Sequence, residues 1–359
     1  MKSSCTAVLA VLMAVLCARA DDSAINVLCY HRFQENAGKG NDSYWIKPER
    51  FEQHLKFLKD EGYNVVSMKK YLDYIEGKDK LPEKSVIITI DDGYRNVYEN
   101  GYPVLKKYGY PATVYLYSVF YPGGRSALTA EQVAEMSENG IEFGCHSHTH
   151  PYLTRRKPDT TDREYLKWLR SEIITPKKYL EKKLGMPVES FAYPYGLYSD
   201  AVVQVVREAG YRAAFSVVPS FNTAETHKYK LKRTMIYSST TTEKLREILE
   251  RRPMRLSLRY PEDGEITEKA PVTIKAVLAE DSLLNTATIK FKMGNVTLYD
   301  SKYDPATRTL TYRYERLLGK GVHVAGVTAS GHDGAEYEYR WMFVIGRPVD
   351  FNEAGIKTQ

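Results

Sequence analysis

Ser85-Val86-Ile87-Ile88-Thr89-Ile90, running without a break into Asp91-Asp92-Gly93-Tyr94, is the stretch on which the fold and chemistry of this chain turn. A short, β-branched run without polar and apolar alternation describes a strand buried on both faces, as in a parallel sheet. Two adjacent carboxylates repel each other unless a cation or water relieves them. Alone, Asp-Asp-Gly is a solvated turn; here the strand fixes the pair at the C-terminal edge of a sheet.

Similar runs occur on both sides: INVLCY (25–30), NVVS (64–67), ATVYLY (112–117), IEFGC (141–145), ESFA (189–192), RAAFSV (212–217) and a weaker RTMI (233–236). Helical patterns lie between them. Phe51, Leu55 and Leu58 share one face, as do Leu166, Leu169 and Ile173, and Pro48 suits a helix start. Strands alternating with helices imply a distorted (β/α) barrel of about seven strands, in which catalytic groups gather where strands end. After Pro253 the period changes to two, with turns every eight to twelve residues: RLSLRY, PVTIKAVLA, ATIKFKMG, VTLYD, TLTYRY, VHVAGVTA and EYRWMFVIG. This predicts an all-β, immunoglobulin-like sandwich. The expected divisions are a leader over 1–20, a catalytic domain over 21–253, the sandwich over 254–346 and a tail over 347–359.

The chain has 359 residues, 43% hydrophobic and 27% charged, a globular composition with room for two domains. MKSSCTAVLAVLMAVLCARA at the N-terminus reads as a secretory signal ending in Ala18-Arg19-Ala20, so the mature protein is expected to be secreted or periplasmic. Lipid anchoring through Cys17 is the competing reading, with Leu16 a poor residue before such a site. No later stretch is apolar and long enough to cross a membrane. Cys29 and Cys145 remain after the leader, too few for a disulfide framework; two buried free thiols are favoured over a bridge. Removing Lys2 and Arg19 from 51 basic residues, against 45 acidic, leaves a net charge of +4, too small to argue for nucleic acid.

Gly144-Cys145-His146-Ser147-His148-Thr149-His150-Pro151 supplies a second strand-end signal, three of the eight histidines of the chain within five residues. With the Asp pair it offers an Asp-His-His ligand set, three N/O donors with an open position, the arrangement of a catalytic zinc.

Thr89-Ile90-Asp91-Asp92-Gly93 followed by His146-x-x-x-His150 resembles the polysaccharide deacetylase family, carbohydrate esterase family 4, over about Ile25 to Met235. The resemblance implies Asp91 as general base, with Asp92, His146 and His150 as metal ligands and His148 outside the set. A third family motif places an arginine ahead of a Pro-Tyr pair whose backbone helps to hold the oxyanion. Here Tyr193, Pro194 and Tyr195 fill that segment, and Ala192 takes the arginine position, so Arg233 becomes the candidate to orient Asp91. The family's usual general acid, a histidine ending the last strand, has no counterpart in 236–253. Val27-Leu28-Cys29-Tyr30-His31 instead resembles a circularly permuted branch, the deacetylases of poly-N-acetylglucosamine exopolysaccharides, in which the first strand takes that place. Trp45-Ile46-x-Pro48-x-x-Phe51 and Pro103-x-Leu105-Lys106-Lys107-Tyr108-Gly109 add to the likeness. His31 is then the candidate acid.

The expected function is metal-dependent N-deacetylation of a polysaccharide, an N-acetylglucosamine polymer foremost, with zinc as the first metal and cobalt or nickel as alternatives. A peptidoglycan deacetylase, an O-acetyl xylan esterase and a non-catalytic polysaccharide-binding protein are the rivals. His54, His227, His323 and His332 read as structural or surface residues. No metal or acid–base candidate lies beyond Pro253, so that region is expected to be dispensable for chemistry on short substrates. Oligomeric state is left open by the sequence.

Overall fold

The computed structural model describes residues 24–36, 43–281 and 283–351. The expected leader, with Cys17, lies outside them, as does most of the expected tail.

Eight strands form one parallel sheet: β1 (Asn26–Tyr30), β2 (Asn64–Val65), β3 (Ser85–Ile90), β4 (Ala112–Leu116), β5 (Ile141–Cys145), β6 (Ser190–Ala192), β7 (Ala213–Phe215) and β8 (Thr234–Met235). Their order is β8-β1-β3-β4-β5-β6-β7, with β2 against the start of β3. The seam between β7 and β8 is bridged by the segment leading into β8. Phe215 pairs in parallel with Leu231, and the Ser216 N–H donates to the Leu231 carbonyl at 2.8 Å. The result is a distorted (β/α) barrel.

Alternation along each strand sorts the side chains into two layers. Odd positions Val27 and Ile87 meet Tyr115, Phe215 and Leu231 in one cluster, the barrel interior. Even positions Leu28, Val86, Ile88 and Ile90 join the larger cluster beneath helices α1 (Pro48–Asp60) and α5 (Asp162–Leu184), where Leu55, Leu166 and Leu169 are buried. This alternation carries directly to the site. β1 and β3 pair Tyr30 with Ile90, so His31 and Asp91 follow side by side at the barrel mouth. α5 begins with a reciprocal cap, Thr161 with Glu164, and ends at the left-handed Gly185. Helices α2 (Met68–Ile75), α3 (Tyr102–Tyr108), α4 (Ala130–Glu138), α6 (Asp200–Glu208) and α7 (Thr242–Glu250) complete the outer layer.

Beyond α7 the chain is β-rich. Strands β9 (Leu256–Tyr260), β10 (Thr273–Leu278), β11 (Lys290–Met293), β12 (Val296–Leu298), β13 (Lys302–Asp304), β14 (Thr309–Arg313), β15 (Gly321–Ser330) and β16 (Glu336–Ile345) form two sheets. One runs β9-β10-β14-β13; in the other, β16-β15-β11-β12, residues 252–253 and 266–267 also pair in parallel with β16. Ile274 and Leu310 of the first sheet share a core with Phe291 and Trp341 of the second. Lys302–Asp304 had no sequence signal because it is short and polar.

The β-rich region is not an appendage tied by a linker. Met342 is buried in the barrel's outer cluster. Asp263 pairs with Lys232 at 2.8 Å, their side chains 4% and 1% exposed, and also accepts the Tyr198 hydroxyl at 2.6 Å.

Candidate active site

Asp91, the first residue past β3, is buried, and its backbone N–H donates to the Tyr30 carbonyl at 2.9 Å. Arg233, also buried, grips its carboxylate with two parallel bonds, Nη1 to Oδ1 at 2.6 Å and Nη2 to Oδ2 at 2.7 Å. The guanidinium is aimed by the Ser216 carbonyl, 3.0 Å from Nε, and by the Thr89 hydroxyl, 3.2 Å from Nη1. Arg233 thus reaches Asp91 from the β8 side of the barrel. Ala192, in the position where the family motif has its arginine, offers its carbonyl to His146 Nδ1 at 2.7 Å.

Asp92 turns away from Asp91 through a left-handed backbone, φ 75°. Its Oδ1 lies 3.7 Å from His146 Nε2 and 3.5 Å from His150 Nε2. One donor atom from each of these three residues lies within 4.8 Å of the others. The His146 Nδ1–H is committed to Ala192, which leaves Nε2 as an electron-pair donor, the usual orientation of a metal-binding imidazole. Burial first, and the Asp91 charge second, push the Asp92 carboxyl up to about 7. Burial pushes both histidines down to about 4, towards the neutral form a cation requires. A carboxylate strained by desolvation beside two neutral imidazoles fits a divalent cation, which would relieve that strain.

Cys29, His31 and Asp91 form a second group, again within 4.8 Å. Its carboxylate is already neutralised by Arg233, so this group lacks the negative charge that would hold a cation. Burial works against the charged form of Asp91, but the Arg233 charge, with His146 and His31, outweighs it and holds the carboxyl well below the ordinary range. Burial also pushes His31 down to about 4. Its Nδ1 is buried without a hydrogen-bond partner. The Cys29 thiol donates to Asp91 Oδ2 at 3.4 Å, and Cys29 and Cys145 are both free.

The loop after β5 is shaped by Glu172 of α5, which sequence reasoning missed. Its carboxylate accepts the Thr149 N–H at 2.9 Å and hydroxyl at 2.8 Å, and its carbonyl accepts the His148 N–H at 3.0 Å. The available signal was an acid beside Leu169 and Ile173 on an apolar stripe. His148 turns to Ser118, 2.7 Å from its Nδ1, away from the ligand set. His54 is structural, between the Tyr30 hydroxyl and the Thr240 carbonyl at 3.2 Å each.

The segment after β6 corrects one expectation. Tyr193 is wholly buried, its hydroxyl donates to the Tyr229 carbonyl at 2.8 Å, and its ring packs on Phe191 and Tyr198. Its side chain belongs to the core and does not line the site. Pro194 is also buried. Tyr195 is 45% exposed, with φ 57° and its ring 4.6 Å from that of His150. Four of the six non-glycine residues with positive φ among those described, Asp92, Ser147, His150 and Tyr195, therefore stand at this mouth, so backbone strain is concentrated where the functional side chains converge.

Residues 78–214 match the family model "Polysaccharide deacetylase". YxkH of Bacillus subtilis (strain 168), whose name assigns it to the polysaccharide deacetylases, is 30% identical over 210 residues, 58% of this chain and 70% of that one. The poly-β-1,6-N-acetyl-D-glucosamine N-deacetylase of Staphylococcus aureus (strain MRSA252) is 28% identical over 233 residues, 60% and 79% of the two chains. Among solved structures, the Streptococcus pyogenes deacetylase PplD in complex with acetate superposes with a TM-score of 0.58 at 27% identity, covering 64% of this chain and 99% of that one.

Proposed function

The chain belongs to the polysaccharide deacetylase family, and from that premise we propose that it is a metal-dependent hydrolase removing N-acetyl groups from a polymer of N-acetylglucosamine. One observation carries the reading: an Asp-His-His donor set stands beside a second carboxylate that is separately held by arginine. In this reading Asp92, His146 and His150 hold a divalent cation, zinc first and cobalt or nickel as alternatives. The bound cation would supply Lewis-acid polarisation and make water more acidic.

Asp91, ionised at rest, accepts a proton as the water oxygen bonds to the acetyl carbon. The backbone N–H of Tyr195 receives the developing oxyanion. His31, neutral at rest and within 4.8 Å of Asp91, relays the proton to the leaving nitrogen as the C–N bond breaks. The products are acetate and a free amine. Arg233 keeps Asp91 oriented and ionised without touching substrate.

Zinc, the immunoglobulin-like character of residues 254–346, the division near Pro253 and export by the N-terminal leader belong to the same proposal. Among the described residues no helix is long and apolar enough to cross a membrane. The test is acetate release from a panel of N-acetylated glucosamine oligomers, peptidoglycan fragments and O-acetylated xylan, with zinc, cobalt or nickel added. Turnover foremost on the glucosamine oligomers is expected; release confined to O-acetyl groups would contradict the proposal.

A further inference from the structure

Beside His31 the barrel mouth carries two exposed aromatic rings that the proposed chemistry does not use. The Tyr44 ring lies 5.6 Å from that of His31, and the Tyr237 ring lies 5.7 Å from that of Tyr44. Tyr44 is 43% exposed and Tyr237 36%. A single exposed aromatic is ordinary, but two in contact with each other, one of them against the candidate acid, make an apolar surface at a defined place.

Backbone pairing fixes the segments that carry both rings. Residues 45–46 run parallel to 32–33 with Trp45 opposite Arg32, which brings Tyr44 level with His31. The Ser238 N–H donates to the Ser43 carbonyl at 2.9 Å, and the Ile236 N–H to the Cys29 carbonyl at 2.9 Å, so the chain around residues 30, 44 and 237 is stitched together. Thr240 closes the turn after Tyr237: its hydroxyl accepts the Tyr237 N–H at 3.0 Å, and its own N–H donates to the Tyr237 carbonyl at 2.9 Å. A surface held in place before its ligand arrives loses little freedom on binding.

The direction of the reaction decides which part of a substrate meets these rings. The nitrogen protonated by His31 is the one bonded to the sugar, so the pyranose lies on the His31 side of the scissile bond and the acetyl methyl on the other. Tyr44 and Tyr237 stand beside the ends of β1 and β8, on the sugar's side. Tyr195, also exposed, follows β6 across the mouth, where it meets His150 and is stacked on by Tyr152 at 3.9 Å.

We propose that Tyr44 and Tyr237 are substrate-binding residues that take the apolar face of the pyranose carrying the reacting nitrogen, and so select a glycan over a small acetylated molecule. The C–H groups on one face of a hexopyranose match an aromatic ring in shape and polarity, and a tyrosine gives that contact area at low cost in side-chain entropy. The inference rests on the deacetylase reading with His31 beside the leaving nitrogen, and it deepens that reading by naming the residues that choose the substrate.

The test reads binding apart from turnover. Calorimetry with an N-acetylglucosamine hexamer and the full chain stripped of metal should show affinity falling about tenfold or more when Tyr44→Ala and Tyr237→Ala are combined. Either single alanine variant should show a smaller loss of the same kind, and Tyr44→Phe with Tyr237→Phe, which keeps both rings, should bind within about twofold of wild type. With zinc restored, the alanine pair should also lose about tenfold or more in the ratio of kcat/KM on the hexamer to kcat/KM on 4-nitrophenyl acetate, which has no sugar. No measurable hexamer binding by wild type, or an alanine pair with wild-type affinity and selectivity, would overturn the proposal. So would equal losses in the alanine and phenylalanine pairs, which would put the hydroxyls rather than the ring faces on the substrate. Failure of the deacetylase reading would show separately, as hexamer binding that depends on both rings without acetate release by the zinc-loaded wild type.

Discussion

Asp91 and Asp92 are sequence neighbours whose carboxyls are pushed in opposite directions. The Arg233 pair outweighs burial and keeps Asp91 charged, whereas burial and the Asp91 charge push Asp92 up to about 7. Asp91→Asn should therefore retain metal and lose turnover, because an amide cannot accept the proton; near-normal acetate release would remove Asp91 from the role of base. Lysine cannot reproduce the two parallel bonds of a guanidinium. Arg233→Lys should keep metal content but lower kcat about 10- to 100-fold, within the range associated with misplaced catalytic groups, while KM stays close to wild type. A change confined to KM would instead put Arg233 on the substrate. His31→Ala should lower the rate about 10²–10⁴-fold on an N-acetyl amide and less on an activated ester, whose leaving group needs little protonation. Equal losses on both would make His31 structural. At this scale the Asp pair and histidine cluster were legible because several chemical groups fall within a few residues. Glu172 was not: it acts through contacts made with the folded loop, and it sits in no motif. Tyr193 was over-read from its place beside Pro194, since adjacency does not say which way a ring faces.

Among elements, the strands could be read because burial on both faces fills them with apolar and β-branched residues, as in Val86 to Ile90. β8 and β2, two residues each, carry weaker patterns because their neighbours supply most of the burial. The clamp at the opposite end of α2 had no sequence signal: Arg212 donates to Glu76 at 2.9 and 2.8 Å, to Asp73 at 2.6 Å and to Glu189 at 3.1 Å. Lys69 and Arg212 bonds take Asp73 from its ordinary 3.8 to about 2, and Arg212 with Lys78 takes Glu76 from 4.5 to about 2. Both carboxyls bind protons more weakly folded than unfolded. Their stabilising contribution is present above about pH 4.5 and is lost as pH falls towards about 2. Arg212→Gln should lower the thermal midpoint at pH 7 and reduce its decline across that acidic window. An unchanged acid slope would show that the clamp does not set it.

For the whole molecule, the decisive feature is the buried contact between the barrel and the β-rich region. Lys232 and Asp263 are 144 and 175 residues past Ile88 in no recognisable motif, and only the closed fold brings them to 2.8 Å. Breaking one partner of such a pair leaves a buried charge, and Asp263→Ala should cost about 3–5 kcal/mol, read as a fall in the urea midpoint. Lys232→Met with Asp263→Leu should recover most of that loss. A single variant as stable as wild type would show that the pair is solvated. This contact also qualifies the expectation that residues beyond Pro253 are dispensable for chemistry on short substrates: their removal would strip Lys232 of its partner and uncover the barrel surface on which Met342 packs.

The central claim is that a cation held by Asp92, His146 and His150 is required for hydrolysis of the N-acetyl amide. Its most direct test is acetate release from an N-acetylglucosamine hexamer by the full chain, stripped with chelator and then given one equivalent of zinc, alongside His150→Ala treated identically. The account predicts no release by stripped protein, restored turnover in wild type with zinc, and none in the variant. Equal release before and after zinc, or full restoration in His150→Ala, would contradict it.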